Sequence, residues 1–330
     1  MSAEAPLLAV DGLTVDFASG GPPIRANDDI NLEVRSGEVL GIVGESGSGK
    51  TVLCKTILRL LAEPPARIVA GGIHFKGEDL TRLDEAAMRQ LRGDAIAMVF
   101  QNPMTSFNPL WTMGDQLTEG LRLHRGLSRR AAATAGIELL ARVGIPSPEI
   151  RIRDYPTQWS GGMLQRAAIA MAVAMEPALL LADEPTTALD VTIQDQILAL
   201  LLDLQARTGM ALVMVSHDLG IISETCDRVV VMYAGRILEM VASAALFARP
   251  GHPYSEGLLA SIPSLDDASA GLEPIPGQPP DLTDLGPGCP FAPRCRYASE
   301  DCQRQTVALR EIAPGHLSAC LFPERMARHG

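Results

Sequence analysis

Short apolar runs alternate with amphipathic segments over the first 245 residues of the chain. The runs at 39–43 (VLGIV), 95–100 (AIAMVF), 178–182 (ALLLA) and 211–216 (ALVMVS) have apolar residues on both faces. Strands of this kind are typical of a parallel sheet that is covered by helices on both sides. The pattern therefore predicts an α/β fold whose sheet is largely parallel.

Three helices are predicted between these strands from apolar spacing and end signals. The first covers about 50–61, before two prolines, and the second covers 161–175, before Pro177. The third follows Asp190, an N-cap residue type, and closes at Gly209. Its apolar residues repeat at helical spacing, at Ile193, Ile197, Leu200, Leu201 and Leu204.

The remaining segments predict how the chain divides. Strands are also predicted near the N-terminus and on both sides of the Ala234-Gly235 turn, while 103–156 has the pattern of short helices inserted into the fold. From about residue 246 onward, proline and glycine become frequent and periodicity fades. We therefore predict one domain over 1–245, which contains the helical insertion, and a C-terminal extension over 246–330.

Composition and charge narrow the classes of function. The 330 residues carry 39 acids against 28 bases, a formal charge of −11, which argues against nucleic acid as the main partner. No apolar run approaches the roughly 18 residues that a membrane span needs. The N-terminus lacks the basic region and long apolar core of a secretory signal. We expect a cytosolic protein that meets a membrane only through partners.

A glycine-rich loop follows the strand 39–43 and fits the phosphate-loop motif G-x-x-x-x-G-K-[ST] at all eight positions. Its backbone N–H groups would surround phosphate oxygens, the Lys50 ammonium would reach the β- and γ-phosphates, and the Thr51 hydroxyl would bind Mg²⁺. An ordinary glycine-rich turn would not match every position between a strand and a helix. The candidate nucleotide-binding residues are Gly44, Ser46, Gly47, Gly49, Lys50 and Thr51.

An acidic pair, Asp183-Glu184, ends the apolar strand 178–182. Ligands of α/β proteins bind at the carboxyl ends of such strands. Asp183 would hold Mg²⁺ through water, and Glu184 would act as the general base for an attacking water. A solvated pair at a strand end is the alternative, and the complete phosphate loop makes it the weaker one.

The segment WSGGMLQR, 159–166, lies 17 residues before Asp183, and here the chain resembles the ABC ATPase family, whose signature is usually LSGGQ. Trp159 replaces the usual Leu and Met163 the usual Gln. The resemblance implies an ABC ATPase core, with a mostly parallel sheet, an antiparallel strand region and a helical subdomain. It also implies that ATP binds between two similar subunits, where one subunit's γ-phosphate meets the other's Ser160, Gly161 and Gly162.

Other positions of the family pattern are present in this chain, and the resemblance implies their roles. Gln101 would sense Mg²⁺ and the permease, and Asp190, in the D-loop 187–190, would couple the two sites. His217 would contact the γ-phosphate, and Phe17 would stack on adenine. The alternatives are a polar strand end for Gln101, a helix cap for Asp190, a structural histidine and a core aromatic residue.

The residues after Gln101 resemble the oligopeptide/dipeptide permease branch, which also includes nickel importers. The resemblance covers QNPMTSFNPLWTMGDQL, 101–117. Three apolar residues there, Phe107, Leu110 and Trp111, would line a groove for a cytoplasmic helix of the permease. Packing within the helical insertion is the alternative.

The C-terminal extension supports the same branch, because 251–263 and 288–295 resemble the tail of these ATPases. Its cysteines follow the spacing C-x5-C-x6-C-x17-C, which the resemblance identifies as the ligands of a [4Fe–4S] cluster. Zinc, a plain reduced tail and disulfides formed on handling are the alternatives. The other two cysteines, Cys54 and Cys226, have the character of small core residues. The four candidate ligands are Cys289, Cys295, Cys302 and Cys320.

The sequence thus predicts the ATP-hydrolysing subunit of an importer for di- or oligopeptides, peripheral to the cytoplasmic face of the cell membrane. Its partners would be a second, similar but non-identical ATPase, two membrane permease subunits and an extracytoplasmic binding protein. A nickel importer is the alternative within the branch. An ATPase that acts on nucleic acid or ribosomes and a redox-responsive regulator are the more distant alternatives.

Overall fold

The computed structural model describes residues 5–187, 189–261 and 274–328. Its strands are β1 (Leu8–Ser19), β2 (Gly21–Val34), β3 (Val39–Val43), β4 (Ala66–Phe75), β5 (Glu78–Asp79), β6 (Ile96–Val99), β7 (Leu179–Asp183), β8 (Ala211–Ser216), β9 (Arg228–Tyr233), β10 (Arg236–Ala242), β11 (Arg310–Ala313) and β12 (His316–Ser318). Its helices are α1 (Lys50–Ile57), α2 (Glu85–Leu91), α3 (Pro103–Ser106), α4 (Met113–Leu117), α5 (Glu119–His124), α6 (Arg129–Arg142), α7 (Pro148–Arg151), α8 (Gly161–Val173), α9 (Val191–Thr208), α10 (Leu219–Thr225), α11 (Ser243–Ala248), α12 (Pro253–Ala260) and α13 (Glu300–Arg304).

The chain forms two compact units. Unit 1 takes the described residues of Met1–Val34, Val39–Thr81 and Val215–Gly330, and unit 2 takes Arg35–Glu38 and Arg82–Met214. Ala188 of the predicted D-loop, and the last two residues of the predicted tail segment 251–263, lie outside the described residues.

Unit 1 contains two groups of strands. An antiparallel sheet has the order β2-β1-β4-β5. In the other group β3 pairs in parallel with β9, and β9, β10, β12 and β11 continue in antiparallel order. All five residues of β3 are buried, so the strand that leads into the phosphate loop is fixed in the core. The predicted antiparallel strand region is therefore confirmed.

Unit 2 combines the parallel pair β6 and β7 with a group of helices. The segment predicted to be helical, 103–156, contains α3 to α7, which confirms its helical character. Their apolar faces form a core with residues from α8, and this core includes Phe107 and Trp159. Unit 2 thereby supplies a packed base for the start of α8.

Local signals placed several ends of elements correctly. The Asp190 carboxylate accepts a hydrogen bond from the Ile193 N–H at 3.0 Å, and Gly209 ends α9 with φ 68°. The prediction for the first helix was too long, because α1 ends at Ile57 and Arg59 takes a left-handed backbone, φ 49°, that a helix cannot continue.

The C-terminal residues contain ordered elements that their sequence pattern did not predict. Strand β12 pairs with β10 through Glu239 opposite Ser318 and Met240 opposite Leu317, and β11 pairs with β12. Strands of three or four residues are too short to show an alternating pattern, so their pairing depends on the neighbouring strand β10.

Candidate nucleotide site

The phosphate loop of unit 1 joins β3 to α1 and closes around its own lysine. The Lys50 ammonium donates hydrogen bonds to the Gly44 carbonyl at 2.7 Å, the Glu45 carbonyl at 2.9 Å and the Ser48 hydroxyl at 3.3 Å. The lysine is 5 % exposed. These carbonyl contacts hold the ammonium inside the loop, where a phosphate oxygen would be its natural counterion.

Two glycines of the loop are required by the backbone around them. Gly44 has φ 152°, and a Cβ there would lie 2.1 Å from the Met232 carbonyl oxygen. Gly49 has φ 98°, and its Cβ would lie 2.4 Å from the Ala26 carbonyl oxygen. Only glycine combines these conformations with so close an approach.

The other predicted residues of the loop lie towards its open side. Ser46 and Gly47 are exposed, and a Cβ on Gly47 would meet nothing within 4 Å. Thr51 lies in the first turn of α1 and is half-buried. The loop therefore presents its middle to solvent while its two ends are packed.

Two further predicted residues of unit 1 also reach the surface. Phe17, near the end of β1, is half-buried. His217 follows β8 directly and is exposed, and the next residue, Asp218, caps α10 by accepting from the Gly220 N–H at 2.8 Å. Both predicted nucleotide contacts are thus accessible to a ligand.

In unit 2 the acidic pair and the predicted glutamine come together. Asp183 is the last residue of β7 and is 1 % exposed. The Glu184 carboxylate accepts hydrogen bonds from the Gln101 side-chain N–H at 2.8 Å and from the Thr187 hydroxyl at 2.9 Å. Glu184 has φ 47°, a conformation that costs a non-glycine residue about 1–2 kcal/mol. Two hydrogen bonds therefore orient this carboxylate, and the backbone that carries it has a strained conformation.

The serine-glycine segment starts α8. The Ser160 hydroxyl accepts from the Met163 N–H at 3.4 Å, so the serine caps the helix. Ser160 and Gly161 are exposed, whereas a Cβ on Gly162 would lie 3.0 Å from Ile193. The helix start thus offers N–H groups and positive dipole to solvent.

Trp159, which replaces the usual Leu of the signature, and Phe107, which was predicted to line a groove, both belong to the core of unit 2. Trp159 is 7 % exposed and its indole N–H donates to the Asp154 carboxylate at 3.3 Å. Phe107 is 5 % exposed, so the packing alternative is correct for this residue. Its predicted companions, Leu110 and Trp111, are 81 % and 47 % exposed.

The four tail cysteines lie in one neighbourhood of unit 1. The Cys289 N–H donates to the Cys302 carbonyl at 2.7 Å. Burial, with smaller contributions from the charges of Cys295 and Cys302, raises the pKa of the Cys289 thiol to about 11. Burial likewise raises the pKa of Cys320 to about 12, with contributions from the charges of Cys289, Cys295 and Cys302. No three His, Cys, Asp or Glu side chains within the described part of the chain are arranged to hold a metal ion.

Sequence reasoning missed one residue in the middle of the motif. Glu45 occupies a variable position of the phosphate loop, but its carboxylate forms an ion pair with Arg294, at 2.6 Å. Its backbone N–H donates to the Tyr254 hydroxyl oxygen at 2.8 Å. A variable position carries no signal in the motif itself, and its partners are more than 200 residues away.

A phosphate loop defines a nucleotide-binding protein, and the serine-capped helix that precedes the acidic strand makes the class that of the ATP-binding cassette ATPases. Two family profiles match the chain: ABC transporter over residues 27–187, and oligopeptide/dipeptide transporter, C-terminal region, over 238–302. The chain belongs to the ATP-binding subunits of ABC transporters, in the branch that carries this C-terminal region, and it is an ATPase.

Relatives and solved structures agree with this membership. A peptide import ATP-binding protein of Brucella melitensis is 49 % identical over 98 % of both chains. The dipeptide transport ATP-binding protein DppD of Escherichia coli K12 is 46 % identical over 96 % of this chain and 97 % of that protein. A solved dimeric ATP-binding cassette in a post-hydrolysis state, bound to ADP and phosphate, is 28 % identical, with a TM-score of 0.65 over 72 % of this chain and 98 % of its own. The predicted cassette fold is thereby confirmed.

Within the described ranges, no helix combines the length and the apolar character that crossing a bilayer requires.

Proposed function

We propose that the chain hydrolyses ATP to drive the import of di- or oligopeptides through separate membrane subunits. The observation that carries this proposal is the C-terminal region, 238–302, together with near full-length relatives that are named for peptide and dipeptide import. A cassette alone would not distinguish importers of peptides from other ABC transporters.

The proposed chemistry assigns different tasks to the predicted residues of unit 1 and of unit 2. Lys50 and the loop amides bind the β- and γ-phosphates, and Phe17 stacks on the adenine. Glu184 takes a proton from the water that attacks the γ-phosphorus, while Gln101 and His217 orient the reacting groups. The hydrogen bonds that Glu184 accepts from Gln101 and Thr187 support this role, because they fix the direction of one carboxylate oxygen.

Mg²⁺ fits the oxygen donors that the sequence predicts for it. The Thr51 hydroxyl and the Asp183 carboxylate are hard oxygen ligands of the kind that Mg²⁺ prefers. The side-chain oxygen of Gln101 is the third donor proposed for the ion. When bound, the ion would neutralise charge on the β- and γ-phosphates. The chain's own part is to hold these oxygens in place.

The proposed assembly pairs this chain with a second, similar ATP-binding subunit, and we favour a non-identical one. Ser160, Gly161 and Gly162 would meet the γ-phosphate bound by that partner, and Asp190 would couple the two sites. The exposure of Ser160 and Gly161 supports this role. Two membrane permease subunits and an extracytoplasmic binding protein complete the importer, which places this chain at the cytoplasmic face of the membrane, without nucleic acid as a partner.

A cleft in unit 2 is the proposed contact for a cytoplasmic helix of the permease. Its volume is about 410 Å³, and it combines exposed apolar side chains, including Leu110, Trp111 and Leu123, with charged residues of both signs. Replacing Leu110 and Trp111 by serine should leave the ATPase of the isolated chain unchanged and reduce its stimulation by membrane subunits. Serine at Ile150, which is 64 % exposed outside this cleft, is the matched control.

We also propose that Cys289, Cys295, Cys302 and Cys320 hold a [4Fe–4S] cluster. Four thiols are the donor set that such a cluster requires, and a bound metal would offset the burial that disfavours the thiolates of Cys289 and Cys320. Protein purified without oxygen should contain about four irons and four acid-labile sulfides per chain. One zinc, or no metal, would refute the cluster and leave the ATPase in place.

The transport proposal is tested with the assembled importer in lipid vesicles. Binding protein loaded with a dipeptide should stimulate ATP hydrolysis and carry labelled dipeptide into the vesicles, whereas Ni²⁺ should do neither. Stimulation by Ni²⁺ and not by peptides would make the chain a nickel importer subunit instead.

A further inference from the structure

Two C-terminal side chains hold one residue of the phosphate loop. The Arg294 guanidinium forms a bidentate ion pair with the Glu45 carboxylate, in which Nη1 lies 2.6 Å from Oε2 and Nη2 lies 3.0 Å from Oε1. The Tyr254 hydroxyl oxygen accepts from the Glu45 N–H at 2.8 Å. Both the side chain and the backbone of Glu45 are therefore held by residues of the C-terminal region.

Arg294 is itself held rigidly. Its side chain is 5 % exposed, and its Nε donates to the Pro276 carbonyl at 2.8 Å while Nη1 also donates to the Tyr233 hydroxyl at 3.1 Å. The guanidinium lies 5.9 Å from the centre of the Phe291 ring. A planar guanidinium that is already held by these contacts loses little conformational entropy when it binds a carboxylate.

Glu45 also contributes to the position of Lys50 in the phosphate loop. The Glu45 carbonyl accepts from the Lys50 ammonium at 2.9 Å, and the Ser48 N–H donates to the same carbonyl at 3.2 Å. A rotation of Glu45 would therefore move the lysine and the amides that bind phosphate. The contacts of Arg294 and Tyr254 reach the nucleotide groups through this one residue.

We propose that Arg294 and Tyr254 are positioning residues of the nucleotide site, which hold the phosphate loop in its binding conformation before ATP arrives. This inference rests on the proposed ATP-driven function and assigns the C-terminal region a task in it. A loop that is preorganised binds its ligand more tightly, because less ordering remains to be done on binding. Both residues would act on the nucleotide through Glu45, which they contact directly.

The size of the effect follows from the kind of contact. Removing Arg294 leaves Glu45, whose side chain is 27 % exposed, without its bidentate partner and lets the loop sample other conformations. We expect Arg294→Met to weaken binding of Mg-ATP about tenfold, the factor that corresponds to about 1.4 kcal/mol. Arg294→Lys keeps the charge without the fork and should recover only part of the loss.

The test is calorimetric titration of the full chain with Mg-ATP, which gives the dissociation constant and the number of sites separately. A positioning role predicts a raised dissociation constant with an unchanged number of sites. Damage to folding would instead lower the number of sites and leave the dissociation constant of the remaining protein unchanged. Arg296→Met is the matched control, because Arg296 is an exposed arginine two residues along the same segment.

A double substitution tests whether the two residues act through one contact. Glu45→Gln should weaken binding to a similar extent, and Arg294→Met combined with Glu45→Gln should be no weaker than the worse single variant. Tyr254→Phe, which keeps the ring and removes the acceptor, should weaken binding about threefold. It provides a test even where Arg294→Met fails to fold.

Three results would overturn the inference. They are wild-type affinity in folded Arg294→Met and Tyr254→Phe, equal weakening in Arg296→Met, and fully additive losses in the double variant. Wild-type chain that binds no Mg-ATP would instead refute the proposed function itself, so the two failures are distinguishable.

Discussion

Replacing Glu184 by Gln separates the hydrolysis of ATP from its binding. The Glu184 oxygen that accepts from Gln101 and Thr187 has a counterpart in the amide oxygen of glutamine, which can accept both hydrogen bonds. Glutamine should adopt the same backbone conformation, φ 47°, because the side chains of both residues are unbranched at Cβ and Cγ. The structure of this strand end should therefore survive the substitution.

What the amide cannot do is accept a proton from water. The contribution of a general base is about 10²–10⁴ in rate, so turnover should fall by this factor while the dissociation constant of Mg-ATP changes by less than about threefold. The barrier would rise by about 2.7–5.4 kcal/mol, at 1.36 kcal/mol for each factor of ten. Phosphate release is measured at saturating ATP, and binding is measured by titration.

A control glutamate shares the unusual backbone of Glu184. Glu176 also has a positive φ, 54°, but is exposed, so Glu176→Gln tests the substitution without the site. Its turnover should stay within twofold of wild type. Wild-type turnover in Glu184→Gln would refute the assignment of the general base, and an equal loss in both variants would show that the effect is general.

Other substitutions test the loop, the core and the tail. Gly44→Ala should abolish ATP binding, because its Cβ would lie 2.1 Å from a carbonyl oxygen, whereas Gly47→Ala, with open space around it, should keep measurable affinity in the same titration. Trp159→Ala should destabilise the chain by about 3–5 kcal/mol in chemical denaturation, the usual cost of emptying a buried aromatic site. His316→Ala should lower stability by about 1–3 kcal/mol and leave ATP affinity within twofold, since it removes a partner of the buried Glu239 carboxylate.

The sequence allowed prediction of those parts of the site that are built from neighbouring residues. The loop from Gly44 to Thr51 lies on eight consecutive positions, and the cap at Asp190 needs only the backbone three residues on. Signals of this kind depend only on residues that are close in the sequence, so they can be recognised from a single sequence.

Contacts between distant residues could not be predicted in the same way. Glu45 and Arg294 are 249 residues apart, and neither position has a pattern that would identify its partner. Strand β12 has three residues, too few for a periodic signal, and its place is set by pairing with β10. The burial of Phe107 also depends on helices that pack together only in the folded unit. These features depend on tertiary packing, which overrides local preference.

The C-terminal region has two kinds of contact with the rest of unit 1, and they should be separable. One kind lies on β10, where β12 pairs and where the fully buried Glu239 accepts from the Gly251 N–H at 2.6 Å and lies 2.7 Å from His316. The other kind is the ion pair between Arg294 and Glu45 in the phosphate loop.

Loss of His316 removes a contact on the sheet and should lower stability without changing ATP affinity. Loss of Arg294 leaves that anchoring intact, so it should change ATP affinity more than attachment of the tail. If both substitutions changed affinity in proportion to stability, the region would be a structural support, and its contact with the phosphate loop would have no separate role.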